Sequence, residues 1–477
     1  MPRIAMIGAG SVVFAKTLAM DILATEVLRG SEIRLMSRTR PKLDRMEAFL
    51  GRVLDENDVE AEIWSTLDRR EALDGADYVI IMIQVGGLDA FGHDYDIPMR
   101  YGVDQCIGDS LGPGGVFRGL RTIPVLVDIA RDMEELCPGA LMLNYTNPMA
   151  ACCYALAKAT DVSYIGLCHG VQTTLDLIGR YVEVPKEEID FLCAGINHMA
   201  WFLKLADRRD GTDLYPKLRE NIEKPEYYVN EKVRCEVMRH FGYFMTESTG
   251  HLSEYIPWFR SSERAMKLYC DEPAFGGESG AAYKYGRMLR DKFRDVDYLA
   301  SEDTKISGRS VEYCSHILEA AETGEPFALN GNVTNRGCIT NLPDGCCVEV
   351  PVTVDSEGLH PHGVGDLPPQ CAALNRSNVS VQALAVEAAL ECDTEHIVHA
   401  IAMDPLTSAC CTLREIRDMA AEMLEAEREW LPQFEGKGIR PAPTISIPSD
   451  VKRVDVPLDP ALAIANRFRE LAERELG

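Results

Sequence analysis

A glycine-rich turn beside the N-terminus constrains the fold of this chain more than any other feature. The apolar run Arg3–Ile7 leads into the loop Gly8–Ser11, and a helical apolar pattern begins at Val13. Glycines at such a turn let the backbone approach a pyrophosphate, and the start of the following helix supplies N–H donors. Val13 stands where the fingerprint usually has its third glycine. We predict a Rossmann-type unit that binds a nicotinamide dinucleotide through Gly8, Gly10 and Ser11.

The residues after the second predicted strand, Ile33–Met36, bear on which dinucleotide fits. Enzymes that use NAD usually have an acidic residue there, which holds the ribose 2′-hydroxyl. This chain has Ser37 and Arg38 instead, and a hydroxyl followed by an arginine suits the 2′-phosphate of NADP. The same two residues also suit an exposed loop. We predict NAD as the cofactor, with Ser37 and Arg38 as contacts, and NADP stays open.

Short apolar runs alternate with helical patterns over the first ~200 residues, which is typical of a parallel sheet built from βαβ units. The further predicted strands are Tyr78–Ile83, Ala140–Leu143 and Tyr164–Leu167, and the predicted helices are Val13–Leu28, Leu43–Val53 and Val125–Leu136. Beyond about Ala194, long helical segments mix with few strands. We predict an α/β protein with a dinucleotide-binding, doubly wound domain at residues 1–194. A C-terminal α+β domain at 195–477 would serve substrate, metal and oligomerisation.

Polar or conformationally special residues follow each predicted strand. Ligands of doubly wound sheets bind outside the carboxyl ends of the strands, so these residues should share one edge of the sheet. After the glycine loop and Ser37 come Gln84, Asn144–Pro148 and Cys168–Gly170. We predict an active site at this edge, with Gln84 as a further dinucleotide contact.

Cys168 and His198 combine into a candidate metal site. A thiolate and an imidazole can share a divalent metal whose remaining positions are filled by substrate oxygens. A buried structural cysteine and a core histidine explain the same residues without any metal. Spacing alone leaves both interpretations open.

Charge and cysteine content exclude several classes of partner. The net charge is −26, and no long basic cluster interrupts it, so we expect no nucleic-acid partner. No stretch approaches the ~18 apolar residues of a membrane helix, so we expect no membrane partner. The first residues enter the glycine loop too early for a signal peptide. We therefore expect a cytoplasmic protein whose 16 cysteines are reduced.

Nine segments, in order along almost the whole chain, resemble glycoside hydrolase family 4. The resemblance is strongest to the melibiase-type α-galactosidases of that family. The segments are Gly8–Ser11, Asp109–Arg118, Leu143–Met149, Cys168–Val171, Gly195–His198, Gly242–Ser248, Glu254–Phe259, Asn341–Val350 and Ala402–Pro405. This family is an exception to the two-carboxylate mechanism of glycosidases because it uses a nicotinamide cofactor.

The resemblance implies a specific chemistry for an unphosphorylated α-glycoside. Hydride passes from sugar C3 to NAD, and a Mn²⁺ ion held by Cys168 and His198 stabilises the enediolate that forms after C2 deprotonation. The aglycone leaves by elimination, water adds at C1, and the hydride returns to C3. No net oxidation occurs, so the partner implied is a small-molecule glycoside.

The resemblance also assigns roles around the metal. Tyr255 is the candidate general base; a packed aromatic is the alternative. Because a free phenol titrates near ~10, such a base needs a nearby cation. His169 stands where some relatives carry a general acid. Asn147 matches a residue that contacts sugar hydroxyls, and Asp109 and Arg118 flank a Gly-Pro-Gly-Gly loop over cofactor and sugar, as predicted substrate contacts.

One departure from the family pattern keeps the sugar open. Gly170 stands where melibiase-type relatives usually carry serine, so galactose, glucose, a uronic acid and a sulfonated sugar all remain candidates. Two other classes compete with the glycosidase: an NAD(P)-dependent dehydrogenase with net oxidation, and a redox sensor without catalysis. Family relatives are typically homodimers or homotetramers, so we expect a homo-oligomer.

Overall fold

One mixed sheet organises the computed structural model, which describes residues 1–11, 14–270, 276–293, 297–457 and 459–475. Within these ranges its strands are β1 (Arg3–Ile7), β2 (Glu32–Met36), β3 (Glu62–Thr66), β4 (Tyr78–Ile81), β5 (Leu141–Asn144), β6 (Ser163–Gly166), β7 (Ile189–Ile196), β8 (Met199–Asp207), β9 (Phe327–Thr334), β10 (Cys347–Asp355) and β11 (Gly358–Pro361). Their order across the sheet is β3-β2-β1-β4-β5-β6-β9-β10-β7-β8, and β11 pairs with β10.

The first six strands form the predicted doubly wound sheet. They pair in parallel, and their order reverses beside β1, as in dinucleotide-binding folds. All four residues of β4 are buried, which explains its uninterrupted apolar sequence. The predicted Rossmann-type fold is confirmed. The sequence pattern did not predict β3, because Glu62–Thr66 is a short, half-exposed edge strand without a clear apolar run.

The remaining strands extend the same sheet in antiparallel pairs. β9 joins β6 at Gly166 and Asn332, and β10 pairs with β9 along its length. β7 meets β10 at Gly195 opposite Glu349, and the hairpin β7–β8 closes this edge. The predicted boundary between residues 194 and 195 falls inside β7, and residues 1–440 form one compact unit. The division at residue 194 stays a prediction.

Helices cover the sheet. In the described ranges they are α1 (Phe14–Ala24), α2 (Arg40–Asn57), α3 (Arg69–Leu73), α4 (Gly87–Arg100), α5 (Gly112–Leu136), α6 (Met149–Ala159), α7 (Gly170–Val182), α8 (Tyr215–Ile222), α9 (Pro225–Tyr228), α10 (Lys232–Phe241), α11 (Thr249–Tyr255), α12 (Glu263–Tyr269), α13 (Ala281–Phe293), α14 (Cys314–Thr323), α15 (Pro369–Glu391), α16 (Thr394–Met403), α17 (Pro405–Cys410), α18 (Leu413–Ala426) and α19 (Pro460–Glu475). α19 belongs to a separate unit, residues 441–477.

Two predicted helices differ from the observed ones. The helix predicted over Val13–Leu28 is α1 followed by a 3₁₀ turn at Glu26–Leu28, and Val13 lies outside the described residues. The helix predicted from Val125 begins at Gly112, so the Gly-Pro-Gly-Gly segment is the first turn of α5 and not a loop. Proline is favourable in a first turn, and the glycines are needed for packing. A Cβ on Gly115 would lie 2.4 Å from the carbonyl carbon of Ser110.

None of the helices in the described residues is long and apolar enough to cross a membrane.

Candidate active site

A cleft of about 1110 Å³ opens at the carboxyl ends of β1, β2 and β4. It lies where the strand order reverses, which is the usual ligand position in such sheets. All six predicted dinucleotide contacts line it, and Asn147 and Arg118 lie in its wall. The six contacts are Gly8, Gly10, Ser11, Ser37, Arg38 and Gln84.

The glycine loop is shaped so that only glycine fits at its first position. Gly8 has φ +98°, and a Cβ there would lie 2.3 Å from the carbonyl oxygen of Met82. The backbone N–H groups of Gly8 and Ala9 both donate to the carbonyl oxygen of Met36, at 2.9 Å. The loop is therefore fixed between the ends of β2 and β4. This close backbone approach fits a bound pyrophosphate.

Beyond this cleft, three donor atoms converge in a cluster suited to one metal ion. Cys168, His198 and Glu247 each offer an atom, and these atoms lie within 4.8 Å of one another. Cys168 Sγ is 3.6 Å from Glu247 Oε1, and His198 Nε2 is 4.0 Å from the same oxygen. A metal bonds such ligands at about 2.0–2.3 Å, so separations near 4 Å are those of ligands around one ion. The geometry favours the metal interpretation of Cys168 and His198 over the structural one.

The backbone supports this cluster at unusual conformations. Asn197 and His198 form the two-residue turn between β7 and β8, and His198 has φ +63°. Glu247, just before α11, has φ +71°. Residues with side chains avoid this region, and strain of this kind is concentrated at functional sites. Both strained residues face the same cluster.

Gly170 makes the space that Glu247 occupies. A Cβ at position 170 would lie 2.0 Å from Glu247 Oε1 and 3.5 Å from Cys168 Sγ. The carboxylate therefore lies where any other residue at 170 would place its side chain. The Gly170 N–H also points at the cysteine sulfur, at 3.4 Å.

Charges in the cluster are arranged for a cation. Burial raises the pKa of the Cys168 thiol well above its usual value, and the negative charges of Glu247 and Glu349 add to this effect. Burial is the main cause that lowers the pKa of His198 below its usual value, against the opposing charges of Glu247 and Asp109. Burial alone would raise the pKa of Glu247, but His198 and His251 outweigh it and the net pKa is lowered. A divalent ion would neutralise the carboxylate and release the thiol proton.

Tyr255 lies against the opposite side of the His198 ring. Its hydroxyl is 3.0 Å from His198 Nδ1, and Ser110 Oγ is 3.1 Å from the same nitrogen. Tyr255 is 1% exposed, and burial, followed by Asp109 and Glu254, raises its pKa well above 10. The structure places the Tyr255 hydroxyl beside the cluster. Its pKa is shifted in the direction opposite to the one that a general base needs.

The predicted substrate contacts connect the cleft to the metal cluster. The Arg118 guanidinium donates to the Asn147 carbonyl at 3.2 Å, and the Asn147 side-chain amide donates to Asp109 Oδ2 at 3.1 Å. Asp109 in turn groups with His198 and His251. Burial favours the neutral form of Asp109, but Arg118 and the two histidines lower its pKa overall. Asp109 is therefore an ionised acceptor between the two halves of the site.

His169 lies at the rim of the site. Its side chain is 58% exposed, and Nδ1 is 3.6 Å from Glu312 Oε1. A hydrogen bond with Glu312 is the main cause of its raised pKa. The structure therefore places His169 beside the metal cluster but directs it to Glu312.

Two residues of the site, Glu247 and His251, were not predicted from the sequence. His251 Nδ1 is 3.6 Å from Glu247 Oε2, and its ring centroid is 4.8 Å from that of His198. A signal was present: Glu247, His251 and Tyr255 follow one another at intervals of four, the spacing of one helical face.

Comparison with known proteins identifies the family. Residues 3–184 match the profile of the family 4 glycosyl hydrolases, and residues 193–407 match the C-terminal domain of that family. The chain belongs to glycosyl hydrolase family 4. The family 4 resemblance found in the motifs is confirmed, and membership favours hydrolysis over the dehydrogenase and sensor alternatives.

Relatives and solved structures similar to this chain cover about nine-tenths of it. An alpha-galactosidase of Bacillus subtilis (strain 168) is 41% identical over 439 residues, 91% of this chain and 100% of the relative. An alpha-galactosidase of Rhizobium meliloti (strain 1021) is 39% identical over 441 residues, 91% and 89% of the two chains. A 6-phospho-alpha-glucosidase from gut microorganisms, solved with NAD and Mn²⁺, superposes with a TM-score of 0.74 at 20% identity, covering 90% of this chain and 98% of that one.

Proposed function

We propose that this family 4 enzyme hydrolyses an unphosphorylated α-galactoside with a nicotinamide dinucleotide and Mn²⁺ as cofactors. The observation that carries the proposal is the connection of the two halves of the site. A dinucleotide cleft with a glycine loop leads through Arg118, Asn147 and Asp109 to a thiol–imidazole–carboxylate cluster. The two alpha-galactosidases near 40% identity support the substrate, and the NAD- and Mn²⁺-bound neighbour supports the cofactors.

The donor set fits a Mn²⁺ ion, which Cys168, His198 and Glu247 would hold. When bound, the dinucleotide would take and return a hydride at sugar C3, and the metal would polarise the transient ketone. Carboxylate oxygen suits Mn²⁺, and imidazole suits most first-row metals. Glu247 therefore supplies the hard ligand that Cys168 and His198 lack.

His198 can make Tyr255 a base despite its burial. Nε2 of His198 faces Glu247, and Nδ1 faces the Tyr255 hydroxyl. An imidazole whose proton resides on Nδ1 donates to the Tyr255 oxygen, and a metal ion held by His198 would favour this tautomer. A donated hydrogen bond favours the phenolate and lowers its pKa. Tyr255 then takes the proton from sugar C2.

The remaining site residues orient the sugar and the leaving group. Asp109 accepts hydrogen bonds from sugar hydroxyls, and the Asn147 amide holds Asp109 in place. His169 lies at the exposed rim, where an aglycone meets solvent, and this position suits protonation of the leaving oxygen. The carboxylates of Asp109 and Glu247 offset the positive charge of Arg118, so we expect little excess positive charge for a sugar phosphate or uronate.

A panel of p-nitrophenyl α-glycosides tests the proposal. The α-galactoside, α-glucoside, α-glucuronide and α-galacturonide, together with α-galactoside 6-phosphate, are assayed with NAD or NADP plus Mn²⁺. We expect the α-galactoside to be cleaved fastest, with many turnovers per dinucleotide and no net reduction. Accumulation of reduced dinucleotide in proportion to product would instead establish a dehydrogenase. Full activity after exhaustive chelation would remove the metal from the proposal.

A further inference from the structure

Four side chains surround the end of β2 where it borders the dinucleotide cleft: Ser37, Arg38, Thr39 and Lys42. We call these four residues the ribose corner. The corner adjoins the glycine loop directly, because the preceding residue, Met36, accepts the N–H groups of Gly8 and Ala9. In dinucleotide-binding sheets this is where the adenosine ribose lies.

Two cations of the ribose corner have no acidic partner. Among the described residues, the exposed Arg38 and Lys42 make no side-chain hydrogen bond or ion pair. Their neighbours differ: Arg40 Nε donates to Asp44 Oδ1 at 2.8 Å, and Arg69 Nε donates to Asp132 Oδ2 at 2.6 Å. Of the cations that line this part of the cleft, Arg69 is already paired, whereas Arg38 and Lys42 are left unneutralised.

The stem of the exposed Lys42 lies against the glycine loop. A Cβ on Gly10 would lie 3.2 Å from Lys42 Cδ and 2.8 Å from Ser37 Oγ. The lysine stem and the serine hydroxyl therefore both pack against the loop. Gly10 supplies the space in which they sit.

Hydroxyl groups and a helix end complete the ribose corner. Within the described part of the chain, neither the Ser37 nor the Thr39 hydroxyl has a hydrogen-bond partner, and Thr39 is the N-cap of α2 without a side-chain cap bond. The 18-residue helix α2 directs its positive dipole end into the corner. Two hydroxyls, a guanidinium, an ammonium and a helix N-terminus all offer donors to one small region.

We propose that the ribose corner binds the 2′-phosphate of NADP, so that NADP rather than NAD is the preferred dinucleotide of this enzyme. A phosphate accepts charge-assisted hydrogen bonds from arginine and lysine, and it needs several donors. The ribose of NAD ends in an uncharged hydroxyl and would leave both cations unpaired. The inference rests on the proposed function only in placing a dinucleotide in the cleft.

One carboxylate also borders this part of the cleft. Asp68 lines the wall, but its Oδ1 accepts the backbone N–H of Arg70 at 2.9 Å, as the N-cap of α3. Asp68 therefore serves the helix that follows it. The position directly after β2, where an NAD enzyme has its acidic residue, is Ser37.

Equilibrium titration of the full chain with NADP⁺ and NAD⁺ tests the inference. It is done by calorimetry, with chelator and without sugar, so an enzyme that fails to hydrolyse any glycoside still gives a valid answer. We expect the Kd for NADP⁺ to be at least about tenfold lower than for NAD⁺ at low salt, since each charge-assisted bond contributes roughly that factor. The ratio should shrink as salt screens the exposed cations. An equal or lower Kd for NAD⁺ would overturn the proposal.

Single substitutions locate the effect. Arg38→Ala should raise the Kd for NADP⁺ about tenfold and leave the Kd for NAD⁺ nearly unchanged, which also shows that the variant is folded. Arg40→Ala is the matched control, because that arginine is already paired with Asp44 and does not line the cleft. Equal weakening of both dinucleotides by Arg38→Ala, or the same loss of NADP⁺ affinity with Arg40→Ala, would overturn the assignment.

Discussion

Glu254 holds the loop that carries two residues of the active site. Its side chain is fully buried, and its two oxygens accept three backbone N–H groups. Oε2 accepts from Cys106 at 2.8 Å and from Ile107 at 3.0 Å, and Oε1 accepts from Gly108 at 2.9 Å. Asp109 and Ser110 follow directly. We therefore regard Glu254 as a positioning residue for this loop.

Glu254→Gln changes one of these three contacts with almost no change in shape. The amide oxygen of the glutamine can accept the N–H groups of Cys106 and Ile107, but its amide nitrogen then faces the N–H of Gly108. An unsatisfied buried N–H costs about 1–3 kcal/mol, which sets the expected loss in the free energy of unfolding. The loop can relieve this clash by moving, and a displacement of about 1 Å at a reacting group costs on the order of 10²-fold in rate. We expect kcat to fall by about 10–100-fold, with little change in KM.

The assay compares kcat, Mn²⁺ content and the free energy of unfolding for this variant and a matched control. Asp21→Asn also alters a buried carboxylate, which accepts the Ser310 N–H at 2.7 Å, but Asp21 does not line the cleft. We expect both variants to lose stability and only Glu254→Gln to lose kcat, with Mn²⁺ content unchanged in each. If Glu254→Gln lost stability alone, or Asp21→Asn lost as much kcat, the positioning argument would be wrong.

Three further predictions concern the metal cluster and its surroundings. Cys168→Ser should abolish Mn²⁺-dependent turnover while dinucleotide affinity, measured by titration, stays the same; full turnover would remove Cys168 from the site. Tyr255→Phe should strongly slow exchange of the substrate C2 proton into D₂O, followed by NMR, and a normal exchange rate would require another base. Glu349 is 1% exposed, and its burial, followed by the charge of Glu247, raises its pKa from 4.5 to about 8. Between these two pH values the folded state holds one more proton than the unfolded state. Stability from this group is thus present at low pH and lost as pH rises. In chelated enzyme, Glu349→Gln should remove a decline of about 1.4 kcal/mol per pH unit, and equal slopes in both proteins would contradict the shift.

Local sequence was enough for the parts of the structure that local geometry determines. The loop at Gly8 needs glycine because of its positive φ, and the buried strand at Tyr78–Ile81 needs apolar residues on both faces. These features depend on neighbouring residues, so the parallel part of the sheet and the cleft at its edge could be predicted. The start of α5 could not, because its glycines are typical of loops and become helical only through tight packing on Ser110.

The active site required information that no single segment contains. Cys168, His198 and Glu247 are separated by tens of residues and meet only because the β7–β8 hairpin and the segment before α11 fold toward the end of β6. Family resemblance supplied Cys168 and His198. The four-residue spacing relates Glu247 to His251 and Tyr255, but nothing local relates it to Cys168, since its place beside the sulfur depends on a space left at position 170.

The missing side chain at Gly170 therefore affects the balance of charges in the proposed metal site. With Glu247 in that space, a thiolate and a carboxylate would together carry two negative charges, which a bound divalent ion would balance. A serine introduced there would displace the carboxylate and leave one uncompensated positive charge in an apolar setting. Gly170→Ser should consequently lower the affinity for Mn²⁺ more than the affinity for Zn²⁺, because Zn²⁺ tolerates thiolate and imidazole alone. Competitive metal titration measures the ratio of the two affinities. An unchanged ratio would show that the two positions are independent. The space left by the residue at position 170 is thus the space that holds the carboxylate of Glu247.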